Sequence, residues 1–110
     1  MTSPKPFPEG HPRKFRATVH GIAFGDRARV VEGMKPGDAC TLVPDPPIDE
    51  EPEVWVHVRE GDPIGHLPQE IAAWLWPWLA RGGVASARAV KVRGDDVPSW
   101  RRVLLEVVCG

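Results

Sequence analysis

Proline and glycine residues cut this chain into short pieces. The 110 residues include 13 prolines and 11 glycines, and both residue types interrupt regular structure. The pieces between them suit strands joined by turns better than a bundle of long helices. The length fits one domain that is large enough for a core of its own. The sequence therefore predicts a single, mainly β domain.

Alternating apolar and polar residues mark the strands. In residues 54–58 the valines are expected to point inward, and in residues 101–108 Val103, Leu105 and Val107 share one face. Further strands are predicted at residues 15–22, 40–43, 63–66 and 85–93, the last with Val90 and Val92 inward and Ala89 outward. Residues 27–32 fit either a short strand or a turn of helix.

Two proline-containing segments interrupt this pattern. Residues 44–52, with four prolines and four acids, are predicted to be a loop, because proline cannot donate in a central ladder. Pro68 is expected at the first position of a helix whose apolar stripe includes Leu75 and Trp78. Pro77 predicts a kink or a second short helix. The expected fold is a small β-barrel of six or seven strands, with one or two short helices inserted near residues 68–81.

The N-terminus and the composition indicate a cytoplasmic protein. Residues 1–14 contain four prolines and little to bury, so they are expected to form a flexible arm before a domain over residues 15–110. Signal-peptide and membrane-span patterns are missing from the sequence. The two cysteines fit a reducing compartment.

Charge is unevenly distributed although the formal net charge is −1. Residues 1–37 hold seven Lys/Arg and three Asp/Glu, residues 38–70 hold one and nine, and residues 71–110 hold six and three. If the first and last strands are neighbours, one basic face results, which suits phosphate groups. The alternative is that both signs only solvate the surface.

The residues that carry enzyme chemistry lack the necessary context. No serine lies in a nucleophile elbow, the histidines share no metal-ligand spacing with the cysteines, and no phosphate-binding loop is present. The acidic loop offers oxygens to a hard cation, but its prolines and lack of glycine disfavour a wrapped site. We expect no enzyme activity, no cofactor and no metal.

Tryptophans can stack on unpaired bases, but helical spacing places Trp76 and Trp78 on or near the core stripe. Trp55, Trp74 and Trp100 are better candidates for exposure. His66, which follows Gly65, fits either a donor to a phosphate or terminal hydroxyl or a histidine satisfied at a strand end.

The order of these motifs resembles the HIRAN domain family. The matching features are Val19-His20-Gly21, Gly37 with Leu42, the Pro-rich segment 44–52, Val54-Trp55-Val56, the Gly61–Pro68 segment with Ile64-Gly65-His66-Leu67-Pro68, and Leu75-Trp76-Pro77-Trp78-Leu79. The resemblance covers residues 15–110 and is most specific over residues 61–79. It implies an OB-like β-barrel that binds single-stranded DNA and recognises a free 3′-hydroxyl end.

The family's end-binding pocket uses an Arg and aromatics after the first glycine, a Tyr-Asp pair in the acidic loop, the motif His and a following Lys. Here His66 is kept and Phe24 stands near an aromatic position, whereas the Arg position is Ala23 and the Lys position is Gln69. Asp49 or Glu50 occupies the position of the loop acid, and the Tyr that precedes this acid in the family is missing, since the chain has no Tyr. The resemblance thus implies the fold more firmly than end recognition.

Two functional hypotheses follow. The first is a non-catalytic module that binds nucleic acid, specifically single-stranded DNA or DNA ends, as in DNA repair. Its basic side chains would contact the phosphate backbone of the DNA. The second is a protein-interaction module that has lost the DNA-end pocket. The residues predicted to bind nucleic acid are Phe24, Arg27, Arg29, Asp49, Glu50, His66, Gln69, Lys91 and Arg93.

Overall fold

A computed structural model describes residues 7–48, 51–59 and 61–110. The elements are β1 (Lys14–Thr18), α1 (Arg27–Glu32), β2 (Ala39–Ile48), β3 (Glu51–Val58), β4 (Pro63–His66), α2 (Gln69–Ala80), β5 (Ala85–Val92) and β6 (Val103–Cys109), with a short 3-10 turn at Ser99–Arg101. The prediction of a mainly β fold is confirmed, and the ambiguous segment 27–32 is helical.

The six strands form one antiparallel sheet in the order β1-β6-β5-β2-β3-β4. The sheet curls into a half-barrel, and one backbone bridge joins its two edges. His20, two residues beyond β1, exchanges backbone hydrogen bonds of 2.8 and 2.9 Å with His66 of β4. This closure agrees with the expected OB-like barrel. The first and last strands, β1 and β6, are direct neighbours in the sheet, which is the condition for a single basic face.

The core lies on the inner side of the curl. Val54 and Val56 of β3 and Val103, Leu105 and Val107 of β6 are fully buried, as their alternation predicts. Leu75 and Trp78 of α2 pack into the same core. Helix α2 thus covers the open side of the half-barrel, where it contacts β3 and β2.

The segment predicted to be a proline-rich loop is instead part of a hairpin. β2 and β3 pair through Pro44↔Val54 and Asp45↔Glu53 as far as Ile48↔Glu51, with an irregularity after Asp45. The reason is position, because β2 pairs with β5 only at Ala39 and Cys40. Beyond those residues β2 has a sheet partner on one side only, where a missing proline N–H is tolerated.

Helix α2 is one continuous helix that contains Pro77, so the prediction of a second short helix starting there is wrong. Packing compensates for the lost backbone hydrogen bond, because Leu75 and Trp78 on either side of the proline are buried. The indole N–H of Trp76 also donates to the backbone carbonyl of Asp45. The helix begins at Gln69, one residue later than expected, and the chain turns at Gly82 as predicted.

In β5 the predicted facing is wrong at Ala89, which is fully buried, while Val90 is only partly buried. The pairing with β6 moves from Ala89↔Leu105 to Lys91↔Leu104. Val90 is therefore the extra residue of a β-bulge, which shifts the alternation by one position. Lys91 keeps its predicted outward position.

Aromatic residues from the N-terminal segment and β1 pack against α2. Phe7 packs edge-on against Trp74 and Trp78, at centroid distances of 5.8 and 5.1 Å, and His11 stacks on Trp74 at 4.3 Å. Phe15 contacts Trp74 at 5.4 Å. We call this group the helix cluster: Phe7, His11, Phe15, Trp74 and Trp78. Residues 1–6 of the predicted arm lie outside the described residues, and the division at residue 14 stays a prediction.

In the described part of the chain, α2 is the longest helix at 12 residues. None of the helices there combines the length and apolar character needed to span a bilayer.

Candidate nucleic-acid interface

The bridge that closes the half-barrel also brings two histidines together. His20 and His66 are opposite each other in the backbone pair, and their rings lie 6.3 Å apart at an interplanar angle of 27°. Gly65 makes this approach feasible. A Cβ at that position would overlap the carbonyl oxygen of His20 and lie 2.7 Å from Cγ1 of Val19. The glycine of the Gly65-His66 pair is thus explained by steric contact between backbones.

Aromatic rings extend from the two histidines in both directions. Trp100 is nearly parallel to His20, with centroids 6.4 Å apart and an interplanar angle of 12°. On the other side Trp55 meets His66 edge-on at 5.6 Å, and the guanidinium of Arg27 lies 4.7 Å from the centre of the Trp55 ring. We call Trp100, His20, His66, Trp55 and Arg27 the aromatic row. These distances fall within the range of aromatic and cation–π contacts.

Hydrogen bonds set the orientation of the polar groups in the row. Nδ1 of His66 lies 3.1 Å from the carbonyl oxygen of Leu67, so it donates and leaves Nε2 as the acceptor of a neutral ring. Arg27 donates from Nη1 to the carbonyl oxygen of Gly21 at 2.9 Å. Thr18 Oγ1 is 3.0 Å from Nε2 of His20. One imidazole acceptor and one guanidinium donor group therefore lie side by side.

Gly21 leaves space between these two groups. Its φ of +81° lies in the left-handed region that favours glycine. A Cβ there would lie 3.2 Å from both Nη1 of Arg27 and Nε2 of His66. The absent side chain therefore keeps the imidazole and the guanidinium accessible from one point. A hydroxyl and a phosphate oxygen are ligands that suit this pair.

A depression lies at each end of the aromatic row. The one beside Trp100 has a volume of about 180 Å³ and is lined by Thr18, Lys91, Arg93, Trp100, Arg101 and Leu104. The one beside Arg27 has a volume of about 320 Å³ and is lined by Phe24, Gly25, Asp26, Arg27, Val30, Asp62 and Pro63. The first carries three basic side chains, whereas the second has an exposed phenylalanine and two acids beside one arginine.

The structure places several of the predicted residues along this surface. His66 and Arg27 are in the row itself, Lys91 and Arg93 line the depression beside Trp100, and Phe24 lines the other. Arg29 is exposed on α1 outside both linings, and Gln69 is exposed at the start of α2. Asp49 and Glu50 lie outside the described residues. The assignment of all these residues to nucleic-acid binding stays a prediction.

Sequence reasoning did not assign His20, Trp55, Trp100, Thr18 or Arg101 to a site. Trp100 is 49% exposed, in line with its expected exposure, and Trp55 and Trp74 are partly buried. His20 had a signal, since it lies in the predicted first strand, residues 15–22, and directly precedes the family-like glycine Gly21. Its partner could not be inferred, because the bridge to His66 joins residues that are distant in sequence.

The two cysteines are held as neutral thiols. Burial, with a smaller contribution from Asp38, raises the pKa of Cys40 to about 11. Burial also raises the pKa of Cys109, against the opposing effect of Arg13. A thiolate is the reactive form of cysteine, so neither side chain is poised as a nucleophile at neutral pH.

The chain matches a known protein family. The family model described as HIRAN domain matches residues 13–109, nearly the whole chain. No curated protein and no solved structure matches the chain.

Proposed function

Because the chain belongs to the HIRAN domain family, which suggests a DNA-binding module, we propose that it binds single-stranded DNA without catalysing a reaction on it. The aromatic row is the observation that carries the proposal. Stacking of bases on aromatic side chains, next to cations that meet the backbone, is the usual way in which proteins hold single strands.

Each end of the row supplies one part of this interaction. Trp100 presents a half-exposed indole beside Lys91, Arg93 and Arg101. This combination suits an unstacked base followed by its phosphate. The two arginines suit the phosphate better than the lysine does, because a guanidinium can donate two hydrogen bonds to the phosphate oxygens. Binding through these groups is expected to weaken with added salt, because the release of counterions from the DNA is less favourable at high salt concentration.

The finer proposal is that the strand ends at the row with its 3′-hydroxyl. Nε2 of His66 can accept a hydrogen bond from a hydroxyl, and Arg27 can donate to the neighbouring oxygen across Gly21. A 3′-phosphate lacks the hydroxyl proton and is larger. We therefore expect the site to prefer a 3′-hydroxyl over a 3′-phosphate. Asp49 or Glu50 remains the predicted second acceptor.

Fluorescence anisotropy with labelled single strands tests both levels. Strands ending in 3′-hydroxyl or 3′-phosphate are titrated with the protein at two salt concentrations. We expect micromolar or tighter binding at low salt, weaker binding at high salt, and a preference for the hydroxyl end. His66→Ala should weaken binding of the hydroxyl end about tenfold, as loss of one hydrogen bond of about 1–1.5 kcal/mol requires.

The matched control is His11→Ala. His11 is also an imidazole stacked beside a tryptophan, but it belongs to the helix cluster, so its loss should leave binding unchanged. Equal binding of both ends would remove end recognition and leave general binding of single strands. No binding of either strand at micromolar protein and low salt would contradict the proposed function and favour a protein partner.

A further inference from the structure

The outward face of strands β1, β6 and β5 is a continuous surface, crossed by rows of side chains from the three strands. Strand pairing aligns the residues of each row, and side chains two apart on one strand share a face. Three rows cross this face: Lys14–Val108–Ser86, Arg16–Glu106–Arg88 and Thr18–Leu104–Lys91. We call it the basic face.

The middle row has more positive than negative charge. Arg88 forms an ion pair with Glu106, with Nη2 2.9 Å from Oε1. The hydrogen bond from Arg88 lowers the pKa of Glu106 more than burial raises it, and the charges of Lys14, Arg88 and Arg16 lower that pKa further. Glu106 is therefore ionised at neutral pH. Arg16 and Arg88 of this row share this one carboxylate with Lys14 of the first row, so a net positive charge remains.

The basic face is continuous with the aromatic row. Its third row, Thr18–Leu104–Lys91, also forms the floor of the depression beside Trp100. Arg93 and Arg101 border that depression. Positive charge therefore runs from Trp100 along β1 and β5 to Lys14. Successive rows are about 6.8 Å apart, twice the rise per residue of an antiparallel strand.

We propose that the basic face is a second contact surface for single-stranded nucleic acid, which binds the phosphate backbone of the strand beyond the nucleotides at the aromatic row. Lys14, Arg16 and Arg88 are the residues assigned to it. This inference rests on the proposed function, since it extends the same strand away from the same site. The contact is to phosphates and is therefore independent of base sequence.

The dependence of affinity on strand length tests the inference. Oligothymidylates of four and twelve nucleotides, both with 3′-hydroxyl ends, are bound to the wild type and to the double variant Lys14→Gln, Arg16→Gln. The shorter strand is expected to occupy the aromatic row only. In the wild type the longer strand should bind at least tenfold more tightly. The double variant should lose most of that gain while binding of the shorter strand changes less than twofold.

Salt dependence gives an independent readout on the longer strand. Loss of two phosphate contacts should reduce the slope of log K against log salt by about 1.4, from about 0.7 per contact for single strands. The control is Lys35→Gln, Arg81→Gln, which removes the same charge from exposed positions outside β1, β5 and β6. It should leave the length effect intact, and unfolding curves establish that both double variants are folded.

Two results would overturn the inference while leaving the proposed function in place. One is equal affinity of the wild type for the two strand lengths, and the other is an undiminished length effect in the Lys14→Gln, Arg16→Gln variant. Failure of the wild type to bind either strand would instead overturn the proposed function, and the inference with it.

Discussion

The helix cluster and the aromatic row are built from the same residue types but differ in how their rings are used. In the helix cluster, Phe7 and Phe15 make edge-to-face contacts with Trp74 or Trp78, and His11 stacks on Trp74. In the aromatic row, Trp100 and the two histidines lie roughly parallel, and Trp100 is half exposed beside three cations. The first arrangement completes a core, whereas the second leaves ring surface for a ligand.

The largest expected effect separates the two groups by stability. Trp78 is 8% exposed and Trp100 is 49% exposed. Trp78→Ala should therefore lower the free energy of unfolding by about 3–5 kcal/mol, whereas Trp100→Ala should change it by less than about 1 kcal/mol. Urea unfolding followed by circular dichroism measures both values. Equal losses would mean that Trp100 also serves the core.

The next effect concerns the backbone bridge on which the aromatic row depends. Gly65→Ala should lower the free energy of unfolding by about 1–3 kcal/mol, as overpacking does, because the new Cβ overlaps the His20 carbonyl. It should also weaken DNA binding by displacing His66. Gly33→Ala is the control, since its Cβ would meet only ordinary contact at 3.6 Å. An unchanged stability of Gly65→Ala would contradict the close approach.

A matched phenylalanine pair gives a smaller effect. Phe7 packs on two tryptophans with the Arg13 guanidinium 4.7 Å from its ring centre, whereas Phe24 is 69% exposed. Phe7→Ala should cost about 1 kcal/mol of stability, about half of a full burial, and leave DNA binding unchanged. Phe24→Ala should leave the stability unchanged and weaken DNA binding. Fluorescence anisotropy measures the binding, and unfolding curves measure the stability. If Phe24→Ala destabilised the protein and Phe7→Ala did not, the assignment of Phe7 to the core and of Phe24 to the surface would be wrong.

The smallest effect is a pH dependence of the basic face. The pKa of Glu106 is lowered in the folded protein. Its charged form therefore contributes stability above the ordinary glutamate value, and this contribution is lost as the pH falls through the lowered pKa. Between pH 5 and pH 3 the wild type should lose more stability than Glu106→Gln. Identical losses in urea unfolding at the two pH values would show that Glu106 gains nothing from Arg88.

Local sequence pattern was sufficient where one face of a strand is buried and the alternation along that strand is uninterrupted, or where turn residues bound the strand. Alternation and turn residues alone predicted strands at residues 54–58, 63–66 and 101–108, and the structure has β3, β4 and β6 there, with β6 beginning at Val103. The pattern failed where tertiary context decides. Pro44 lies in a strand because β2 has only one sheet partner there, and Pro77 stays helical between buried neighbours. Ala89 and Val92 both face the core because the bulge at Val90 shifts the alternation between them.

The candidate site was predicted only in part, because most of its residues are also brought together by tertiary structure. His66 was identified from its own short motif. His20, Trp55 and Trp100 join it through strand pairing and sheet closure between residues far apart in sequence. Helical spacing correctly placed Trp78 in the core, but no local period distinguishes an exposed tryptophan in a turn from a binding residue.

The five indole N–H signals offer the most direct test of the distinction between the two groups. Each tryptophan gives one such signal in a ¹H–¹⁵N correlation spectrum, which single Trp→Phe variants assign. On titration with a single strand that ends in a 3′-hydroxyl, we expect the signals of Trp55 and Trp100 to move and those of Trp74, Trp76 and Trp78 to stay in place. Movement of the Trp74 and Trp78 signals, with Trp55 and Trp100 unchanged, would contradict the assignment of the aromatic row as the DNA-binding surface.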